Sequence, residues 1–221
     1  MSDATYVFAD IAGFTALTEA HGDQEAADLV DRFCRLVSAE LAAYSGAHVK
    51  TIGDALMLRV PEPADAVALG LQIVHDLLPG HGAPGVRVGM HHGPAIERDG
   101  DYFGAAVNLA ARVSAAAVAG EVLLTATTAA MAPAVEGVVY ESRGRRQLRN
   151  VRDAVELVAA RRVAMAPGDA TVLVVDPVCR MVVDPARAAG RLTYQGEDHY
   201  FCALGCAGAF ARHPDRYVAI A

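Results

Sequence analysis

The sequence predicts a mixed α/β domain followed by a small cysteine-containing module, and three observations carry that expectation. From Tyr6 to about Ala160, short apolar runs bounded by turn residues alternate with stretches whose apolar residues recur at helical spacing. The pattern then lapses over Arg161–Ala170, where Pro167-Gly168-Asp169 interrupts it as a linker would. Of four cysteines, Cys34 is early, while Cys179, Cys202 and Cys206 crowd into the last fifth of the 221 residues. The expected division is therefore a domain over 1–160, a linker over 161–172 and a module over 173–221.

Each element has its own signal. Tyr6–Ile11 is a short apolar run ending in an acid and bounded by Gly13, which reads as a buried strand. From Thr15 to about Ala43, Leu29, Phe33, Leu36, Val37 and Leu41 recur at helical spacing and predict one long amphipathic helix. Residues 47–60 are two strand-like runs around Gly53-Asp54, a hairpin signal. A helix is expected over Pro63–Leu78, ended by the turn residues of Pro79–Gly85, and a strand over Val86–His91. Residues 93–104 read as a loop rich in glycine and aspartate, a helix as spanning Phe103–Ala117, and the rest to Ala160 as short strands with one short helix.

Composition narrows the function classes. A formal charge of −7 disfavours a nucleic-acid binder, which needs clustered positive charge, and 53% hydrophobic residues argue against disorder. The 19 basic residues include a single lysine, Lys50. The N-terminus carries Asp3 where a signal peptide would be basic, and no apolar run with a cleavage site follows. Val113–Val135 is the least polar stretch, but Ser114, Gly120 and Glu121 interrupt it, whereas a membrane span needs about 20 apolar residues. A cytoplasmic protein with no membrane partner is expected, its cysteines serving as thiols or metal ligands rather than disulfides.

Two acids sit where carboxylates are costly. Asp10 closes a buried strand and Asp54 lies at a hairpin tip, so each is either a turn residue or part of a cation site. If strand and hairpin are neighbours in one sheet, the acids converge into a hard-oxygen site suited to Mg²⁺ and a phosphate substrate. Three stretches then carry a resemblance: Phe8-Ala9-Asp10-Ile11-Ala12-Gly13-Phe14-Thr15, Lys50-Thr51-Ile52-Gly53-Asp54, and Asp101-Tyr102-Phe103-Gly104 with Val107-Asn108 and Ala111-Arg112. Together they resemble the catalytic domain of class III nucleotidyl cyclases over about residues 5–160.

That resemblance implies a ferredoxin-like sandwich and conversion of ATP to cyclic AMP and pyrophosphate. It implies two Mg²⁺ or Mn²⁺ ions held by Asp10, Asp54 and the Ile11 carbonyl, with amides near Phe14 and Thr15 donating to phosphate oxygens. Asn108 would orient the ribose, and Arg112, four residues on along the same helix face, would stabilise charge on the α-phosphate. The family builds each site from two subunits, so a head-to-tail homodimer is implied.

The match departs at two places. Family adenylate cyclases read the purine with a lysine two residues before Lys50 and an acid at Asp101; the first position here is His48. At period two, His48 shares a strand face with Lys50 and would face the pocket; otherwise it is a surface histidine and Asp101 alone selects the purine. Asp101 accepting from the N6 amine favours ATP over GTP. A triphosphate-binding lysine is also replaced, so Arg149 would take over its phosphate contact; the alternative for this basic run is a solvated edge strand.

Asp176-Pro177-Val178-Cys179-Arg180-Met181 and Tyr200-Phe201-Cys202-Ala203-Leu204-Gly205-Cys206 resemble a YHS domain, departing at Arg180, where glycine is usual, and Ala203, where serine is usual. Cys179, Cys202 and Cys206 are either ligands of Zn²⁺ or another soft metal, with His199 near in sequence as a further donor, or buried structural thiols. Cys34 is expected in the core. The leading expectation is a homodimeric nucleotidyl cyclase modulated by its C-terminal module. Its rivals are a weak homologue that binds nucleotide or only dimerises, and a metal sensor or carrier.

Overall fold

The computed structural model describes residues 2–77, 82–132, 135–163 and 173–218. In chain order its strands are β1 (Ser2–Ile11), β2 (Ala47–Ile52), β3 (Ala55–Val60), β4 (Ala83–Pro84), β5 (Val86–Arg98), β6 (Asp101–Phe103), β7 (Val122–Thr125), β8 (Val138–Arg146), β9 (Val155–Arg162), β10 (Val174–Val175), β11 (Met181–Val183), β12 (Gly190–Tyr194) and β13 (Glu197–Phe201). The α-helices are α1 (Phe14–His21), α2 (Asp23–Glu40), α3 (Pro63–Gln72), α4 (Ala105–Ala116), α5 (Ala126–Met131), α6 (Leu204–Arg212) and α7 (Asp215–Val218). The chain forms two compact units, one of Met1–Ile11, Arg32–Leu77 and Val86–Met165, the other of Ala12–Asp31, Leu78–Gly85 and Ala166–Ala221. Most of the expected linker, residues 164–172, lies outside the described residues.

The first unit is built on a sheet in the order β2-β3-β1-β5-β7-β9-β8, with β6 paired to β5. Its first four strands are antiparallel neighbours in the ferredoxin-like order, β1 lying between β3 and β5. Side chains alternate across β1 and β5. Tyr6 and Phe8 pack with Met57 against Ala106, Val107 and Ala110 of α4. Gly89 shares that face, and a Cβ there would overlap the Ser114 backbone, so its bare α-carbon lets α4 seat directly on the sheet. Val88 and Met90 face the other way, and both lie against Gly70 of α3.

In the second unit, β10-β11-β4 form a small sheet and β12-β13 a hairpin, with α6 beside them. Phe201, Phe210, Val178 and Met181 make its core, and Leu17 of α1 and Ala26 of α2 complete it. Rings of Tyr194, His199, Phe201 and Tyr217 all lie within 6.2 Å of the Phe210 ring.

Three element expectations are corrected. The single helix over Thr15–Ala43 is two, because the chain breaks at Gly22, where φ is 90°. The expected loop at 93–104 is a hairpin: β5 runs on to Arg98 and turns through Asp99 (φ 53°) and Gly100 (φ 78°) into β6. Those paired positive φ angles are the Asp-Gly signature of a tight hairpin turn. The helix after Pro63 leaves α geometry at Ile73–Leu77, a π turn.

Candidate functional site

The two acids meet. Asp10, at the end of β1, is register partner to Ala55 of β3 and Arg87 of β5, and Asp54 directly precedes Ala55 in the β2–β3 turn. Burial first, and then the neighbouring Asp10 carboxyl, close enough to share a proton, together push the Asp54 carboxyl up to about 6. Arg87 Nε donates to Asp10 Oδ2 at 2.6 Å and neutralises part of this charge. Two convergent, half-desolvated carboxylates with one guanidinium among them are a hard-oxygen donor set short of positive charge, and a divalent cation fits it. The Ile11 side chain is buried and its backbone is paired to Val86.

A second polar pair lies on the α4 face. Lys50 Nζ donates to Asp101 Oδ2 at 2.5 Å, and the Tyr102 amide donates to Asp101 Oδ1 at 2.8 Å. The lysine holds the Asp101 carboxyl below the usual range. His48 does not join them. The ladder pairs His48 with Leu58 and Lys50 with Met57, leaving Val49 as a bulge. One extra residue puts His48 and Lys50 on opposite faces, which corrects the period-two expectation. His48 is exposed, with its Nε2 3.1 Å from Thr51 Oγ1. Thr51 Oγ1 in turn lies 3.7 Å from Cys34 Sγ, so this cysteine is half-buried rather than core.

On α4, the buried residues Ala106, Val107, Ala110, Val113 and Ser114 face the sheet, so Asn108 points to solvent and Arg112 is half-buried. Among the described residues neither side chain hydrogen-bonds to Asp10 or Asp54. Arg149 is exposed in the turn between β8 and β9, where the Val151 amide donates to the Leu148 carbonyl. Phe14 and Thr15 open α1 in the second unit, with the Phe14 ring against that unit's core and Thr15 exposed.

The cysteines also converge. Cys179 Sγ is 3.3 Å from Cys202 Sγ, and Cys202 Sγ is 3.9 Å from Cys206 Sγ, with all three thiols free. Hydrogen bonds from Cys202 and Cys206 pull the Cys179 thiol far below its ordinary value, while Cys206 is pushed up to about 12. His21 lies with them, and its Nε2 is 3.7 Å from Cys202 Sγ and 3.8 Å from Cys206 Sγ. His199 instead packs on Phe210, its Nε2 buried and without a hydrogen-bond partner among the described residues. The residue Arg180, where glycine is usual, adopts φ 66°, which accounts for the usual preference.

Residues 1–159 match the family model of the adenylate and guanylate cyclase catalytic domain, and residues 174–220 match the YHS domain model. A pH-sensitive adenylate cyclase of Mycobacterium tuberculosis is 36% identical over 167 residues, covering 74% of this chain and 42% of that protein. An adenylate cyclase of Streptomyces coelicolor is 37% identical over 118 residues, covering 53% of this chain and 31% of that protein. The chain thus spans less than half the length of these relatives. An adenylate cyclase structure from Trypanosoma brucei, in its monomeric state, superposes with a TM-score of 0.64 at 27% identity, covering 77% of this chain and 92% of that one. Among the described residues no helix is long and apolar enough to cross a membrane.

Proposed function

Because the chain belongs to the adenylate and guanylate cyclase catalytic-domain family, we propose that it converts ATP to cyclic AMP and pyrophosphate at sites shared between two copies. The observation that carries this reading is the convergence of Asp10 and Asp54, where burial first and the Asp10 carboxyl second raise the Asp54 pKa to about 6. Asp10, Asp54 and the Ile11 carbonyl would hold two Mg²⁺ or Mn²⁺ ions, which when bound would supply a lowered pKa at the ribose 3′-hydroxyl and positive charge for the departing pyrophosphate.

The chain's own residues do the rest. The amides of Phe14 and Thr15 donate to phosphate oxygens, and Arg149 supplies positive charge to the triphosphate. Asn108 orients the ribose, and the planar guanidinium of Arg112 meets the charge that develops on the α-phosphate. Asn108 points to solvent, and among the described residues neither it nor Arg112 bonds to the acids of its own chain, which supports donation to a second copy. Asp101 accepts from the adenine N6 amine. A carboxylate has about four acceptor sites, so the bonds from Lys50 and Tyr102 leave capacity for it. His48, on the opposite face, is left out of purine reading. The C-terminal module, residues 173–221, holds a soft metal at Cys179, Cys202 and Cys206 and modulates the cyclase from the cytoplasm.

Mixing inactive Asp54→Ala and Arg112→Ala proteins tests the shared site. Heterodimers contain one intact site, so activity returns to about a quarter of the wild-type level in an equal mixture if subunits exchange freely. Heterodimers that form without activity would refute shared sites.

A further inference from the structure

We infer that His21 is the fourth ligand of a zinc site whose other three ligands are Cys179, Cys202 and Cys206, so that one metal ion ties helix α1 to the cysteine module. The inference rests on the reading of the three cysteines as metal ligands and adds the donor that neither matched family segment supplies by itself.

Four observations carry it. The first is shape. Zinc binds thiolates at about 2.3 Å and imidazole at about 2.0–2.1 Å, so a tetrahedral site has S–S edges of about 3.8 Å and S–N edges of about 3.6 Å. The edges here are 3.3 and 3.9 Å between sulfurs, and 3.7 and 3.8 Å from sulfur to His21 Nε2. All four donor atoms lie within 4.8 Å of one another. The second is chemistry. Three thiolates and a neutral imidazole form a closed set that favours Zn²⁺ over hard cations.

The third is orientation. A ligating histidine commonly presents its other nitrogen to a carboxylate, and His21 Nδ1 lies 3.7 Å from Glu25 Oε1, one turn on. The buried Asp176 carboxylate accepts from the amides of Val178 at 2.8 Å and Cys202 at 2.9 Å, fixing both cysteine-bearing segments. The fourth is access. A cavity of about 240 Å³, lined in part by Ala16, Val178, Cys206 and Arg212, reaches one of the donors, Cys206. The break at Gly22 matters here, because His21 is the last residue of α1 and Glu25 belongs to the first turn of the helix that follows, so the ring sits at the junction of the two.

The consequence is a clamp. Zinc pins the C-terminal end of α1, the helix whose first amides are assigned to phosphate oxygens and which follows Asp10 and Ile11 in the chain by two residues. Occupancy of the metal site then sets how firmly α1 is held.

The test uses the full chain, reduced and stripped of metal, with Zn²⁺ alone as the probe in competition with a chromogenic chelator. Wild-type protein should take one equivalent, and X-ray absorption should show three sulfurs and one imidazole. His21→Ala should bind at least about 10–100-fold more weakly and lose the imidazole signature, whereas His199→Ala should match wild type. In wild-type protein, where no variant can misfold, zinc should slow amide exchange over Leu17–His21. Unchanged affinity and imidazole signature in His21→Ala, or exchange in α1 indifferent to zinc, would overturn the assignment while leaving the thiolate reading intact. Wild-type protein that takes up no zinc would overturn that underlying reading itself.

Discussion

Replacing Asp54 by asparagine should make the metal-free protein more stable, because the wild-type carboxylate is held where it is costly to ionise. Its pKa rises from 3.8 to about 6 on folding, through burial first and the Asp10 carboxyl second. The folded state therefore keeps its proton more tightly than the unfolded chain. On this account wild-type stability falls as pH rises between about 4 and about 6 and stays lowered above that. At ~1.4 kcal/mol per pKa unit the full shift would amount to ~3 kcal/mol. The group is only partly buried, and solvent screening reduces this to about 1–2 kcal/mol.

Asparagine is nearly isosteric and carries no charge to desolvate. Thermal unfolding in chelator, followed across pH, should show Asp54→Asn matching wild type near pH 4 and exceeding it at pH 7.5. At roughly 2–4 °C per kcal/mol the gap is several degrees in Tm. Millimolar Mg²⁺ should close the gap by stabilising wild type alone. A variant no more stable than wild type at pH 7.5 without metal, or a gap indifferent to pH, would refute the reasoning.

Other outcomes follow from the same unit. Burial depresses the His91 pKa from 6.5 to about 4, so its contribution is intact above pH 6.5 and is lost as pH falls toward 4. That loss should amount to about 2 kcal/mol, and His91→Asn should flatten this acid limb in urea titrations read at successive pH values. Gly89→Ala should cost at least about 1–3 kcal/mol and lower cyclase activity with it, since its Cβ would push α4 and its Asn108 and Arg112 off the sheet. Denaturation midpoints and turnover measured on one preparation check both effects.

Much of this was legible in the residues. Short apolar runs fixed β1, β3 and the start of β5, and the Asp10 and Asp54 motifs located the acids before any geometry was known. What escaped was set by single residues inside otherwise regular patterns. A helical period does not register one glycine, so the break at Gly22 was hidden inside an apolar repeat. Period-two reasoning assumes an unbroken ladder, and the Val49 bulge reversed the face assigned to His48. The Asp99-Gly100 turn was a legible hairpin signal, obscured because the flanking residues are polar and exposed. His21 was unreadable as a ligand. It lies 181 residues from Cys202 in sequence, and only tertiary packing brings the two side chains together.

The central claim is that the paired acids and α4 perform cyclisation of a purine nucleotide. Purified protein, incubated with ATP or GTP and Mn²⁺ or Mg²⁺, tests it most directly when wild type and Asp54→Ala are compared for cyclic nucleotide and pyrophosphate. The account predicts cyclic AMP from ATP in preference to cyclic GMP from GTP, and no product from Asp54→Ala. Wild-type protein that binds ATP without turnover, or Asp54→Ala protein that keeps its activity, would contradict it.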